Sequence, residues 1–108
     1  MINRAAVLVG PRQPYIDWAL GLDESGLAPE HDGEKTIYLI PEYNDDIEAL
    51  EILSQFYTFI FEEELGGWHT DETAWPKNRT FKIFREWFDV QFHSIIDDLC
   101  DYELIDED

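Results

Sequence analysis

"DDIEALEILSQFYTFIFEEELGG", Asp45 to Gly67, decides how this chain folds. Asp45 stands where a helix N-cap belongs, and Glu48 three residues on completes a capping-box pattern. Gly66-Gly67 predicts the C-terminal stop. At about 100° per residue, Glu48, Glu51, Gln55, Thr58 and Glu62 gather into one narrow polar stripe. Most of the remaining positions are apolar: Ile47, Ala49, Leu50, Ile52, Leu53, Phe56, Tyr57, Phe59, Ile60, Phe61 and Leu65. A surface helix of a globular protein usually carries a much narrower apolar face. The helix over about 45–65 is therefore expected to be mostly buried, either between a sheet and another element or in a subunit interface.

Working outward, "RAAVLVG" (Arg4–Gly10) is a short β-branched run ended by Gly10-Pro11 and predicts a buried strand. "PYIDWALGL" (Pro14–Leu22) places Tyr15, Trp18 and Leu22 at helical spacing, with Pro14 suited to a first turn. The polar stretch from Asp23 to Glu34 predicts a loop. "KTIYLIPEY" (Lys35–Tyr43) predicts a second strand, with Ile37, Leu39 and Pro41 on one face and Tyr38 and Ile40 on the other, both faces covered. The segment from Thr80 to Leu99 carries two periodicities. Phe81, Phe84, Phe88, Phe92, Ile95 and Leu99 recur at helical spacing, while Phe88, Val90 and Phe92 alternate with Asp89, Gln91 and His93. Aromatic and β-branched enrichment favours a helix over about Thr80–Trp87 and then a strand over about Asp89–Ile96. The expected fold is α+β, a small three-stranded sheet packed with helices in the order β-α-β-α-α-β. It forms one domain over 1–108 with an acidic tail over about 97–108.

Composition narrows the function classes. The 108 residues carry 25 Asp and Glu against 7 Lys and Arg, a formal charge of −18, which repels phosphate backbones and anionic membranes. Neither a nucleic acid nor a membrane is an expected partner; a basic protein is attracted. With 44% hydrophobic and 15% aromatic residues, the chain nonetheless builds a core. No apolar run approaches the roughly 20 residues that cross a bilayer. A single cysteine, Cys100, forms no internal disulfide and points to a reducing cytoplasm. Four of the seven basic residues, Lys77, Arg79, Lys82 and Arg85, fall in one segment, and they are expected to fold against part of the acid in the tail.

Taken together, "RAAVLV", "QPYIDW", "YLIPEY", "EELGGWHTDETAWP" and "EWFDVQFHS" resemble a family of small acidic bacterial proteins of unassigned function. The resemblance runs from Arg4 to Ser94. It implies a bacterial cytosolic domain and supports the last strand, and it carries over no activity, cofactor or catalytic residue.

Candidate chemistry centres on the connector "GGWHTDETAWP", Gly66 to Pro76. His69, Asp71 and Glu72, with His93 brought up by the fold, have the donor types of a zinc, iron or manganese site. Their spacing matches no established metal motif, and a chain this acidic sets carboxylates beside histidines by chance. Cys100 sits in "DDLCDYE", where neighbouring acids oppose thiolate formation. No nucleotide-binding glycine motif occurs. Trp68, His69, Trp75 and Arg79 include the residue types enriched at protein-binding hot spots, although one tryptophan at least is expected in the core. Thr70 is positioned to cap a short turn through Asp71 and Glu72. The expected function is a non-catalytic protein-binding or regulatory protein without a cofactor, whose partner is another protein or a second copy of itself. A small metal-assisted enzyme using His69, Asp71, Glu72 and His93 is the alternative. An acidic inhibitor that mimics nucleic acid and binds a basic protein is a third reading.

Overall fold

The computed structural model of the chain describes residues 1–22, 25–27, 29–30 and 33–107. Its elements follow the predicted order: β1 (Ala5–Pro11), α1 (Gln13–Leu20), β2 (Thr36–Ile40), α2 (Asp46–Trp68), a 3-10 turn over Glu72–Ala74, α3 (Phe81–Trp87) and β3 (Phe88–His93). The predicted loop over 23–34 lies partly outside the described residues, since Asp23, Glu24, Ala28, His31 and Asp32 are not among them.

The three strands form one antiparallel sheet in the order β2-β1-β3. The central place falls to β1, whose continuous apolar run suits a strand buried on both faces. Register then sorts the side chains. Val7 lies opposite Tyr38 on one side and Phe92 on the other, while Ala5 faces Ile40 and Val9 faces Val90. These residues and Phe88 form the inner face, packed with Tyr15 of α1, Leu53, Ile60, Phe61 and Leu65 of α2, and Phe84 of α3. Phe61 is the hub, with ring centroids of Phe84, Trp87 and Phe88 at 5.8, 5.8 and 5.3 Å. Aromatic pairs at such separations add about 0.5–1.5 kcal/mol each beyond area burial.

The outer face of the sheet is the alternate set. Ala6 aligns with Leu39 and His93, and Leu8 with Ile37 and Gln91. The prediction that both faces of β2 are covered does not hold there, because Ile37 and Leu39 are exposed. All three helices contribute to the inner core, and no helix among the described residues lies on this outer face.

Local signals explain the ends of α2. The Asp45 carboxylate accepts from the Glu48 amide at 2.8 Å, half of the expected capping box. The reciprocal bond is replaced, for Glu48 Oε2 accepts instead from Asn44 Nδ2 at 3.4 Å. The predicted glycine stop is corrected: the helix passes through Gly66 and Gly67 to Trp68, and neither glycine has a positive φ. The chain leaves the helix at His69, which is extended and whose carbonyl accepts from Trp75 Nε1 at 2.8 Å. The His69 amide closes the last turn on the Leu65 carbonyl, and the Trp75 bond fixes the path of the chain as it leaves.

The expectation of a mostly buried α2 holds only on the side facing the sheet. There Ala49, Leu53, Ile60, Phe61 and Leu65 are buried. On its other sides Ile47, Phe56 and Phe59 are 71, 41 and 60% exposed. Two layers supply one cover, and a helix apolar around most of its girth needs more than that.

The disputed segment resolves as predicted into helix then strand. Thr80 caps α3 through the Ile83 amide at 3.1 Å, and β3 starts one residue early and ends at His93. The basic segment meets different acid from that expected: Arg79 pairs with Glu62 of α2 at 3.7 Å, while Asp97 in the tail pairs with the N-terminal amine.

Candidate functional site

The connector after α2 is built by side chains returning to backbone. Asp71, and not Thr70, caps the 3-10 turn: its carboxylate accepts from the Thr73 hydroxyl at 2.6 Å and the Thr73 amide at 3.0 Å. These bonds, the hydroxyl's first, hold the Asp71 carboxyl below its ordinary range. Trp75 packs against the core with its ring over Gly66, so it is the structural tryptophan. Arg79 lies over the Trp75 ring at 5.9 Å and donates to the Pro76 carbonyl at 2.7 Å. His69 is half-buried, and Trp68 stays exposed on the side of α1, beside Pro11 and Tyr15.

The four candidate metal ligands are not brought together. His69, Asp71 and Glu72 stand at the end of α2, on the helical side of the sheet. His93 projects from the outer face, opposite Ala6 at the far end of β3. Among the described residues no three His, Cys, Asp or Glu side chains form a group that could hold a metal ion. Cys100 is an exposed thiol in the tail.

Two concave surfaces meet on the outer flank of α2. One, of about 710 Å³, lies between the last turns of α2 and the connector, and its lining includes Phe59, Glu62, Glu63, Asp71, Glu72 and Trp75. The other, of about 390 Å³, is lined by Tyr38, Leu39 and Ile40 of β2 with Phe56, Phe59 and Ile60 of α2. The first is rich in carboxylates and the second is apolar. Phe59 belongs to both. Of the connector's protein-binding candidates Trp68, His69, Trp75 and Arg79, only Trp75 lines the first concavity, and the exposed aromatic ring there, Phe59, comes from α2. A signal for it existed in the sequence, since Phe56 and Phe59 lie outside the polar stripe of a helix whose apolar girth is expected to need cover on more than one side.

A third feature, unread in the sequence, is Glu64. Its Oε2 accepts from Tyr38 OH at 2.7 Å and Thr36 Oγ1 at 2.9 Å, and its backbone carbonyl accepts from Tyr15 OH at 2.6 Å. One residue thus ties α2 to β2 and α1. Burial pushes the Glu64 carboxyl up, against the pull of its two hydrogen bonds. Burial first, and then the neighbouring Glu64, raise the Tyr15 and Tyr38 hydroxyls well above the ordinary phenol range. The clue was positional: Glu64 falls off the polar stripe of α2 and onto its inner side. Its known side-chain and backbone bonds go to the fold itself, which makes it a bolt between elements.

No family model, curated protein or solved structure matches this chain. Among the described residues no helix is long and apolar enough to cross a membrane.

Proposed function

We propose that this chain is a non-catalytic protein-binding protein, acting in the bacterial cytoplasm, and that its partner docks along the flank shared by β2 and α2. The observation that carries this is the apolar surface left open there. Phe56 and Phe59 stand out from α2, and with Leu39 of the adjoining strand, 45% exposed, they line one apolar groove. Contiguous apolar surface of this kind on a small domain marks an interaction site. The placement of reactive groups supports the non-catalytic half: His93 is on the outer sheet face, Cys100 is in the tail, and Glu64 is engaged by Tyr38 and Thr36.

Self-association is a second form of the same reading, favoured by one feature. β2 is an edge strand, and an unpaired edge is a template for pairing with another chain. The double variant Phe56→Ser with Phe59→Ser tests both forms, because neither residue is buried in the core. Parent and variant are compared for the proteins they retain from lysate and for their sedimentation, with thermal unfolding as the folding control. The expected result is a specific protein, or a dimer, held by the parent and lost by an equally stable variant. Identical behaviour of the two proteins would discard the docking face.

A further inference from the structure

The junction at Phe59 says more about the occupant, provided that the docking face exists. Phe59 lines both the apolar groove beside Leu39 and Phe56 and the cleft bordered by Glu62, Glu63, Asp71 and Glu72. Of those four acids only Glu62 has an ion-pair partner among the described residues, Arg79 at 3.7 Å. Asp71 is kept ionised by the bonds from Thr73. Glu63 and Glu72 are exposed. The apolar strip and the anionic strip are therefore adjacent, and an occupant that satisfies both must carry apolar and cationic side chains on neighbouring strips of its own.

We infer that the occupant is a basic amphipathic segment of a different protein. Its apolar residues rest against Leu39, Phe56 and Phe59, and its Lys or Arg side chains reach Glu62, Glu63, Asp71 and Glu72. Charge decides between this partner and a second copy. Each copy carries a net −18 and would bring its own four carboxylates to a shared face, a repulsion that the single Arg79 does not offset. The same field attracts a basic partner from a distance and accelerates encounter. A matched arrangement recurs in recognition of amphipathic segments by apolar grooves, where anchors give affinity and rim charges give orientation.

The test uses the full chain and a synthetic peptide with Leu at helical spacing on one face and Lys on the rest, beside a control peptide with Glu in place of each Lys. Binding is measured by calorimetry at two salt concentrations, and the contact residues are mapped by amide and aromatic NMR shifts. The expected result is binding of the Lys peptide alone, with shifts at Phe56 and Phe59. Phe59→Ser and the quadruple neutralisation Glu62→Gln, Glu63→Gln, Asp71→Asn, Glu72→Gln should each weaken it by about tenfold or more. A matched neutralisation of the tail, Asp98→Asn, Asp101→Asn, Glu103→Gln and Glu107→Gln, should weaken it far less. If the tail variant weakens binding as much as the cleft variant, or Phe59→Ser has no effect, attraction is to net charge alone and the inference fails. A parent that is dimeric through Phe59 and ignores the Lys peptide would also overturn it while sparing the docking face. Absence of peptide binding removes the inference, and the docking face falls with it only if the parent and the Phe56→Ser, Phe59→Ser variant also retain the same proteins and sediment alike.

Discussion

At the scale of single residues, Glu64 is the place where stability and pH meet. Folding raises its pKa above the ordinary value of 4.5, so the folded state holds the proton more tightly than the unfolded chain does. Its contribution to stability is present at low pH and is lost as pH rises through the folded pKa. Ionising Glu64 is therefore costlier in the folded state than in the unfolded chain. Glu64→Gln keeps an acceptor for Tyr38 and removes the charge, so the stability of the variant relative to the parent should climb with pH from about 4.5 upward and then level off. Urea unfolding of both proteins across pH 4 to 8 checks this, and the subtraction cancels the slope from the other carboxylates. A flat difference would mean that burial does not govern this group. Tyr38→Phe acts in the opposite sense: it strips one donor from a half-buried acceptor and should cost about 1–3 kcal/mol. Little of this was legible beforehand. That Glu64 lies off the polar stripe can be read from the spacing, but Thr36 and Tyr38 are separated from it by 28 and 26 residues and reach it only through the fold.

At the scale of elements, α2 shows which signals are local and which are not. Its start is encoded by Asp45, because an N-cap satisfies a backbone amide three residues away whatever surrounds it. Its end is not, because the helix runs on through the glycines that should have stopped it. Gly67 is helical with open space where a Cβ would stand. Gly67→Ala should therefore stabilise the protein by about 0.5–1 kcal/mol, since alanine is the better helix former. A true left-handed stop would respond with the reverse sign, so chemical denaturation of the one variant separates the two descriptions. The helix-then-strand reading of 80–96 came through because Thr80 caps locally and the alternation of Phe88, Val90 and Phe92 survives as the inner face of β3. The helical spacing that Phe88 and Phe92 share with Phe84 was a coincidence of two periods, settled by pairing with β1.

At the scale of the whole molecule, charge and uncovered apolar surface govern behaviour together. Twenty-five acids against seven bases repel one another more when the chain is compact than when it is unfolded. Raising ionic strength from about 0.01 to 0.15 M shortens the screening length from about 30 to 8 Å. The melting temperature should rise over that range; an unchanged or lower value would show that the four ion pairs among the described residues matter more than the net repulsion. The same charge opposes the approach of a second copy, whatever attraction the exposed Leu39, Phe56 and Phe59 exert.

Element type and order were set by the sequence alone, because periodicity, capping and β-branched runs act over a few residues and reach the same outcome in most surroundings. The tertiary structure alone decided that Trp75 packs over Gly66 and bonds the His69 carbonyl where the chain leaves α2, that Tyr38, Thr36 and Tyr15 gather on Glu64, and that Phe59 is shared by an apolar and an acidic concavity. Those outcomes depend on which distant segments arrive beside one another, and burial, desolvation and exposure exist only once they have arrived.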